Sequence, residues 1–426
     1  MKTYYTSLNQ QNELFSLLEN RAKTSSADIT VIIRNIIDDI KTRGDAALYE
    51  YSEKFDKYRP SALVMSQEEI DAAAEKVEPS LEAIIREAAD NIRIYHEKQL
   101  SEGYEMFSKG KKLGRILRPL KRVGVYVPGG TAAYPSTVLM NCIPASVAGV
   151  SEIILVTPPK AEGLNPAIAA AAKIAGVTKV IQIGGAQAVA ALAYGTESVP
   201  KVDKIVGPGN MFVAEAKRQV YGLVDIDMIA GPSEVCVVAD DSANPAYIAA
   251  DLLSQLEHDR AASAVLVTPS SELAEKVSVE IQEQVAKLKR CEIASESLSK
   301  YSAILITKDI YEAMEMANII APEHLEIVTE SPENLLSLVE NAGSIFLGEY
   351  CPEPMGDYFA GTNHVLPTSG SARFSSPLSV DDFVKKMSYL SYSKDAFFRD
   401  AESVIEFAEA EGLGAHANSV RIRLEK

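Results

Sequence analysis

The chain has 426 residues, of which 47% are hydrophobic and 24% charged, and its formal net charge is −17 at pH 7. These proportions are ordinary for a globular protein with a sizeable core, and the excess of acid disfavours nucleic acid, whose phosphates need clustered Lys and Arg. The first residues lack the basic start and apolar run of a signal peptide, and no stretch reaches the roughly 18 apolar residues of a membrane span. The cysteines are widely spaced without a CxxC pair, which is typical of a reduced cytoplasmic protein without disulfides or a thiolate zinc site.

Residues 1–120 are predicted to be mainly helical. Within residues 66–100, apolar side chains recur at intervals of three and four positions, with charged residues between them. His96 lies in this segment, and we expect it on a helix surface.

From about residue 121, short β-rich runs alternate with helical segments, which predicts βαβ units around parallel sheets. The strands of the first series are "RVGVYVP", "SEIILVTP", "KVIQIGG" and "KIVGPG". A second series begins near residue 233, with "VCVVAD", "SAVLVT", "SAILIT", "LEIVT" and "SIFLG". We therefore predict an α/β fold of two Rossmann-like, doubly wound parallel-sheet modules, with smaller helical segments at both ends of the chain.

The regular pattern fails after residue 350. Residues 351–380 are rich in Gly, Pro and Ser, and a loop of this length is usually functional or disordered. Asp357 and His364 within it favour function. A helix is predicted again from about residue 380, followed by a closing strand in "ANSVRIRL".

Four of the five histidines fall in predicted turns, at a helix end or in the long loop, each with a carboxylate close by in sequence. Loops of an open α/β sheet can form one crevice, and imidazole, carboxylate and amide oxygen together suit zinc or a similar divalent ion. Singly the motifs are weak, because a histidine at a helix C-terminus also complements the helix dipole, and an acid beside a histidine also suits a solvated turn. The candidates are Gln255 with His258, Glu323 with His324, Asp357 with His364, and Glu411 with His416.

Three glycine-rich strand ends, "YVPGG", "IGGAQ" and "VGPGN", each precede a predicted helix. Backbone N–H groups at such a point can bind phosphate. None of the three is a GxGxxG motif with its acidic partner, so tight turns between strand and helix explain the glycines equally well.

The segments "IDMIAGPSEV", "ADLLSQLEHD", "APEHLEI", "GDYFAGTNHVLPT" and "ARFSSPLSV" together closely resemble the histidinol dehydrogenase family, in order and in spacing. The resemblance runs from "GVYVPGG" to "AHANS". It implies a homodimer with one Zn²⁺ per subunit that oxidises L-histidinol to L-histidine through L-histidinaldehyde. Two NAD⁺ are reduced in this reaction, which is the last step of histidine biosynthesis.

The resemblance also implies roles for individual residues of this sequence. The catalytic pair would be Glu323 and His324. The zinc ligands would be Gln255, His258, Asp357 and His416. Substrate would contact these ligands together with Ser233, His324, His364 and Glu411. NAD would contact Tyr126, Gln187 and Asn210.

Four parts of the chain follow from these assignments. We expect an N-terminal segment of residues 1–24, a metal-binding catalytic domain of residues 25–120 and 234–378, an NAD-contacting domain of residues 121–233, and a tail domain of residues 379–426. In the family dimer the tail is exchanged, so Glu411 and His416 would reach the site of the neighbouring subunit.

The chemistry agrees with this assignment. The substrate's imidazole and amine are good ligands for zinc, which would act as a template. His324 could take the alcohol proton as hydride leaves for NAD⁺, and Glu323 could deprotonate the water that adds to the aldehyde.

Three alternatives remain open. A zinc hydrolase would use similar side chains with a metal-bound hydroxide but has no need of the glycine-ended module. A non-catalytic metal-binding or nucleotide-binding protein would not require Glu323 beside His324. A related zinc- and NAD-dependent dehydrogenase would oxidise another polar alcohol, against which His364 and Glu411 count.

Overall fold

The computed structural model describes residues 1–22, 27–129 and 134–425, and it divides into two compact units. The larger unit comprises Met1–Gln99 and Leu120–Phe383, and the smaller comprises Leu100–Pro119 and Val384–Lys426. The predicted boundary after residue 24 and the last glycine of "YVPGG" lie outside the described residues. The four-part division of the chain stays a prediction.

Helices cover much of both units. Those of the larger unit are α1 (Gln11–Ala22), α2 (Ala27–Arg43), α3 (Asp45–Tyr51), α4 (Gln67–Ala74), α5 (Pro79–Glu97), α6 (Pro135–Val147), α7 (Pro166–Ala175), α8 (Gly185–Tyr194), α9 (Met211–Val220), α10 (Pro245–Leu256), α11 (Ser271–Val285), α12 (Cys291–Tyr301), α13 (Ile310–Ile320) and α14 (Glu353–Met355). Those of the smaller unit are α15 (Lys394–Ala410) and α16 (Gly414–Arg421). Among the described residues, no helix has both the length and the apolar character needed to cross a membrane.

The strands form three sheets. In chain order they are β1 (Lys2–Tyr5), β2 (Tyr104–Ser108), β3 (Lys111–Pro119), β4 (Arg122–Tyr126), β5 (Glu152–Thr157), β6 (Lys179–Gln182), β7 (Lys204–Val206), β8 (Asp225–Ile226), β9 (Glu234–Ala239), β10 (Ser263–Thr268), β11 (Ala303–Ile306), β12 (His324–Val328), β13 (Ser344–Leu347) and β14 (Val384–Tyr392). One sheet of the larger unit has the order β1-β11-β10-β9-β12-β13, and the other has the order β6-β5-β4-β7-β8.

Every strand pair in these two sheets is parallel. The direction of winding reverses between β9 and β12 in one sheet and between β4 and β7 in the other. Strands β9 and β10 are buried along their whole length, as expected where helices cover both faces of a parallel sheet. The predicted fold of two doubly wound parallel-sheet modules is confirmed.

A glycine permits the close approach of two strand ends in the second sheet. Gly207 follows β7 with φ +109°, and a Cβ there would overlap the carbonyl oxygen of Tyr126 at the end of β4. Only glycine fits, both for its backbone conformation and for the missing side chain.

The smaller unit corrects two predictions of secondary structure. Residues 104–108 and 111–119, expected within a mainly helical region, form β2 and β3, and residues 384–392, expected as helix, form β14. Strand β14 pairs antiparallel with β3 from Val384↔Pro119 to Tyr392↔Lys111. This pairing joins segments far apart in sequence, and the largely exposed β14 has no clean two-residue alternation to announce it.

The end of the chain is helical, so the predicted strand in "ANSVRIRL" was wrong. Helix α16 packs on α15 and buries Ala417 completely. The β-branched Val420 and Ile422 suggested a strand, but propensity is a weak prior that tertiary packing overrides.

His96 is buried completely, which corrects its predicted place on a helix surface. It continues the buried stripe of α5 formed by Ile85, Ala88 and Ile92, at the spacing of an amphipathic helix. Its Nδ1 lies 2.8 Å from the Ile92 carbonyl oxygen, and its Nε2 lies 3.3 Å from Asn363 Nδ2. Burial lowers the pKa of His96, so a neutral imidazole anchors the loop that carries His364.

Candidate active site

Glu323 and His324 lie at the amino end of β12, beside the amino end of β9, with His324 opposite Val235 in the register. Ligands of open parallel sheets usually bind at the carboxyl ends of strands near the reversal of winding. In this sheet Glu323 and His324 also lie at the reversal of winding between β9 and β12, but at the amino ends of these strands. Helix α10 follows β9 and returns to this edge, which brings its last turn towards the pair.

Glu323 is a buried carboxyl group, 8% exposed. Its Oε2 accepts a hydrogen bond of 3.0 Å from the backbone N–H of Glu234. Burial raises its pKa to about 7, although the charge of His324 opposes the shift. A carboxyl group that titrates near neutrality can exchange protons efficiently at physiological pH.

His324 is 3% exposed and contacts three polar neighbours. Its Nδ1 lies 3.1 Å from the Glu234 carbonyl oxygen, to which it donates, and its Nε2 lies 3.5 Å from Asp357 Oδ1. Burial alone would lower the pKa, but the carboxylates of Glu323 and Asp357 outweigh burial and raise it to about 10. The ring is thus oriented with Nε2 towards Asp357.

Asp357 and Glu353 follow β13 in a short helical segment. Glu353 is 2% exposed, and its Oε2 accepts a hydrogen bond of 3.1 Å from the Ser254 hydroxyl. Burial and the nearby Asp357 charge raise the pKa of Glu353 to about 8. Burial would also raise the pKa of Asp357, but the hydrogen bond and charge of His324 prevail and lower it.

The ligand atoms of His324, Glu353 and Asp357 all lie within 4.8 Å of one another. An imidazole and two carboxylates form a suitable donor set for a divalent transition metal. Glu353 was missing from the sequence-based candidates. Its separation of four residues from Asp357, which places side chains on one helical face, was the available signal.

Gln255 and His258 lie at the end of α10, as the sequence predicts. Gln255 is 0% exposed, and neither its Oε1 nor its Nε2 has a hydrogen-bond partner within the described part of the chain. A buried polar group without a partner costs about 1–3 kcal/mol, so this amide is suited to bind a ligand.

His258 as a whole is exposed to solvent. Its ring is nevertheless partly desolvated by the surrounding protein, and this desolvation lowers its pKa. The charges of Asp357 and His324 both act on the ring, which places it in their neighbourhood. A neutral imidazole is the form that binds a metal.

His364 and Ser233 lie close to these groups. The Nδ1 of His364 lies 3.0 Å from the backbone carbonyl oxygen of Asp357, and burial lowers the pKa of His364. Nδ1–H therefore donates to that carbonyl, and Nε2 is left as an acceptor. Ser233 directly precedes β9 and Glu234, the residue that contacts Glu323 and His324.

The predicted NAD contacts lie at the carboxyl edge of the second sheet. Gly185 N–H donates to the Tyr126 hydroxyl oxygen at 3.1 Å, and burial raises the pKa of Tyr126 to about 12. Gln187, in the first turn of α8, is 1% exposed, and its Nε2 has no partner among the described residues. The side-chain oxygen of Asn210 caps α9, so its amide nitrogen remains for a ligand.

Glu411 and His416 belong to the smaller unit, and both are exposed. Glu411 ends α15, and His416 lies in the first turn of α16, where its carbonyl oxygen accepts a hydrogen bond of 2.8 Å from the Ser419 hydroxyl. Their roles as substrate contact and zinc ligand stay predictions.

Two doubly wound parallel sheets, with an acid–imidazole centre at one and, at the other, a buried amide nitrogen that lacks a partner among the described residues, define an α/β enzyme. The model of the family described as histidinol dehydrogenase matches residues 19–424. The chain belongs to the histidinol dehydrogenase family, whose members are NAD-dependent oxidoreductases of histidine biosynthesis. The resemblance noted in the sequence is thereby confirmed.

Individual relatives agree over almost their full length. The histidinol dehydrogenase of Clostridium acetobutylicum is 55% identical over 413 residues, which are 96% of either chain. That of Bacillus thuringiensis subsp. konkukian is 54% identical over 408 residues, covering 96% of this chain and 95% of its own. The crystal structure of histidinol dehydrogenase from Elizabethkingia anophelis has a TM-score of 0.94 at 38% identity, covering 100% of this chain and 98% of that one.

Proposed function

We propose that this protein oxidises L-histidinol to L-histidine through L-histidinaldehyde, with the reduction of two NAD⁺. The observation that carries the proposal is the pair of hydrogen bonds that one residue, Glu234, forms with Glu323 and with His324, donating to the first and accepting from the second. A base for the alcohol and a base for water are thus held side by side, which suits two successive oxidations at one carbon.

The proposed zinc ligands are Gln255, His258 and Asp357, completed by His416 from a neighbouring subunit, with one ion per subunit. The buried amide of Gln255, which lacks a protein partner among the described residues, supports this choice. Bound zinc would supply a template for the substrate's imidazole and amine. Glu353, buried beside Asp357, would orient that carboxylate.

Tyr126, Gln187 and Asn210 would contact NAD at the carboxyl edge of the second sheet, on both sides of the reversal between β4 and β7. This is the usual position of a nucleotide in an open parallel sheet. The Nε2 of Gln187, which has no partner within the part of the chain that the structure describes, supports the assignment, because a buried donor requires an acceptor. When bound, NAD⁺ would supply the hydride acceptor for each oxidation.

His324 would remove the proton of the alcohol through Nε2, since its Nδ1 is occupied by the Glu234 carbonyl group. Without a metal, its raised pKa favours imidazolium at neutral pH. A divalent cation bound to Asp357 would offset that carboxylate's charge and lower the pKa of His324, which frees the ring to act as a base. The same ring would take the proton of the aldehyde hydrate.

Glu323 would deprotonate the water that adds to the aldehyde. Its pKa of about 7 leaves a substantial fraction ionised at neutral pH while keeping the carboxylate basic enough to accept a proton. Because Oε2 accepts the Glu234 N–H, Oε1 is the oxygen left for water.

Ser233, His364 and Glu411 would complete the substrate site, Glu411 from the exchanged tail of a homodimer. We propose a cytoplasmic enzyme, in keeping with its biosynthetic family. A related polar alcohol is the alternative substrate. His364, with Nδ1–H directed at the Asp357 carbonyl group, leaves an acceptor at Nε2 that favours a substrate with an N–H donor.

The test is a titration of the zinc-loaded protein with limiting L-histidinol and excess NAD⁺. The expected yield is two NADH and one histidine per histidinol, without free aldehyde, and the activity is lost on chelation and returns with zinc. A yield of one NADH, or release of aldehyde, would contradict the four-electron assignment. Faster turnover of another polar alcohol would favour the alternative.

A further inference from the structure

A buried ion pair lies directly behind the proposed catalytic pair. Arg21, in the last turn of α1, forms an ion pair with Glu234, and the side chains are 0% and 8% exposed. Neither residue belongs to the proposed metal, substrate or NAD contacts.

Arg21 also binds the backbone that precedes two neighbouring strands, β9 and β10. Its Nη1 donates to the carbonyl oxygens of Ser233 and Ala261, both at 3.1 Å, and lies 3.4 Å from that of Pro232. The planar guanidinium serves a carboxylate and carbonyl groups at once, which a lysine ammonium cannot do with the same geometry.

The residue held in this way determines which atoms of the catalytic pair are free. Glu234 donates its N–H to Glu323 Oε2 and accepts from His324 Nδ1 with its carbonyl oxygen. Both bonds come from the main chain of a single residue. A small shift of that main chain would therefore displace Glu323 Oε1 and His324 Nε2 together.

The same carboxylate holds the loop that follows His364. Ser369 N–H donates to Glu234 Oε1 at 2.8 Å, and Gly231 N–H donates to the Thr368 hydroxyl at 2.6 Å. A Cβ on Gly231 would overlap Ser369 Oγ, so the two segments are in close contact.

We propose that Arg21 is a positioning residue for both oxidation steps, acting through Glu234 on the orientation of Glu323 and His324. The inference rests on the proposed function. A buried ion pair is weak evidence for stability, since apolar replacements of similar volume are often as stable. The convergence of its hydrogen bonds on the main chain that holds both bases points instead to orientation.

The test compares Arg21→Lys, Arg21→Met and Glu234→Gln with the wild type in the histidinol reaction, at measured zinc content. Leu14→Ala is the matched control, because Leu14 is 0% exposed on the same helix and forms no part of the hydrogen-bonded cluster.

We expect kcat per zinc-loaded site to fall about 10- to 100-fold for Arg21→Met, since misplacement by about 1 Å can cost 10²-fold. The kcat values of Arg21→Lys and Glu234→Gln should lie between those of Arg21→Met and the wild type. KM for histidinol and NAD⁺ should change less than about threefold, and Leu14→Ala should lower Tm without changing kcat.

A double-mutant cycle separates positioning from general loosening. In a His324→Asn background, Arg21→Lys should slow the oxidation of the alcohol to the aldehyde much less than it does in the wild type, because the one base assigned to that step is already absent. Unchanged kcat per zinc-loaded site in Arg21→Lys and in Glu234→Gln, with only a lower Tm, would overturn the inference and leave the proposed function intact. Equal effects of Arg21→Lys in both backgrounds would also overturn it. A wild type that makes no NADH from histidinol would overturn the proposed function and the inference with it.

Discussion

The Nε2 of His324 lies 3.5 Å from Asp357 Oδ1, which joins the start of β12 to the segment that follows β13. This contact places the proposed base against a proposed zinc ligand, so that a metal ion bound there would act directly on the charge of the base.

Glu323 and His324 should differ in which half-reaction they serve. Glu323→Gln should slow aldehyde oxidation about 10²–10⁴-fold and alcohol oxidation much less, since only the second step needs an activated water. His324→Asn should slow both steps. Single-turnover measurements that start from histidinol or from histidinaldehyde resolve the two oxidation steps. Equal losses in both steps for Glu323→Gln would refute these separate roles.

Glu353 should support metal binding through Asp357. Glu353→Gln keeps an acceptor for the hydrogen bond from Ser254 but removes the ionisable carboxyl group, and we expect zinc affinity to fall about 10- to 100-fold, as for other groups that orient a metal ligand. Competition with a chelator measures the affinity, and excess zinc should restore most of the activity. Ser254→Ala is the control, with a smaller loss expected. Unchanged zinc affinity in Glu353→Gln would show that this carboxylate has another role.

The raised pKa of Glu323 should appear in the stability of the zinc-free protein. A carboxyl group whose folded pKa is about 7, above its ordinary 4.5, contributes stability below pH 4.5 that is lost as the pH rises through 7. Glu323→Gln removes this dependence, so its stability relative to the wild type should rise by roughly 3 kcal/mol between pH 4.5 and 7 or slightly above. Denaturant unfolding across this range, in the presence of chelator, measures the difference. A constant difference would show that the pKa of Glu323 is not raised.

Mixing two inactive variants can test which subunit supplies His416 to each site. His258→Asn and His416→Asn should each be nearly inactive, because each loses a proposed zinc ligand. If the tail is exchanged in a symmetric dimer, refolding equal amounts together makes about half of the dimers mixed, and about a quarter of all sites regain both histidines. Activity should return to about that fraction. Mixed dimers that are detected by differential tags but remain inactive would rule out the exchange.

Local patterns determined most of the larger unit. Uninterrupted apolar runs such as "SAVLVT" predict strands buried on both faces, and their alternation with helices predicts parallel sheets, because only a crossover connection joins parallel neighbours. The candidate site residues were also predictable from local sequence, because each lies in a short continuous motif of the family. The central strands of both sheets and the family were therefore predictable, whereas the edge strands β1 and β8 were not among the predicted strands.

Long-range contacts decided the rest. Strand β14 depends on β3, and the burial of His96 depends on which face of α5 packs inward; neither partner can be identified from the local sequence. The carboxylate of Glu353 and the ion pair of Arg21 with Glu234 escaped notice because their importance comes from neighbours distant in the chain. A sequence displays the side chains that perform chemistry, whereas the fold alone determines which buried charges face them, because desolvation and Coulomb interactions depend on distance in space.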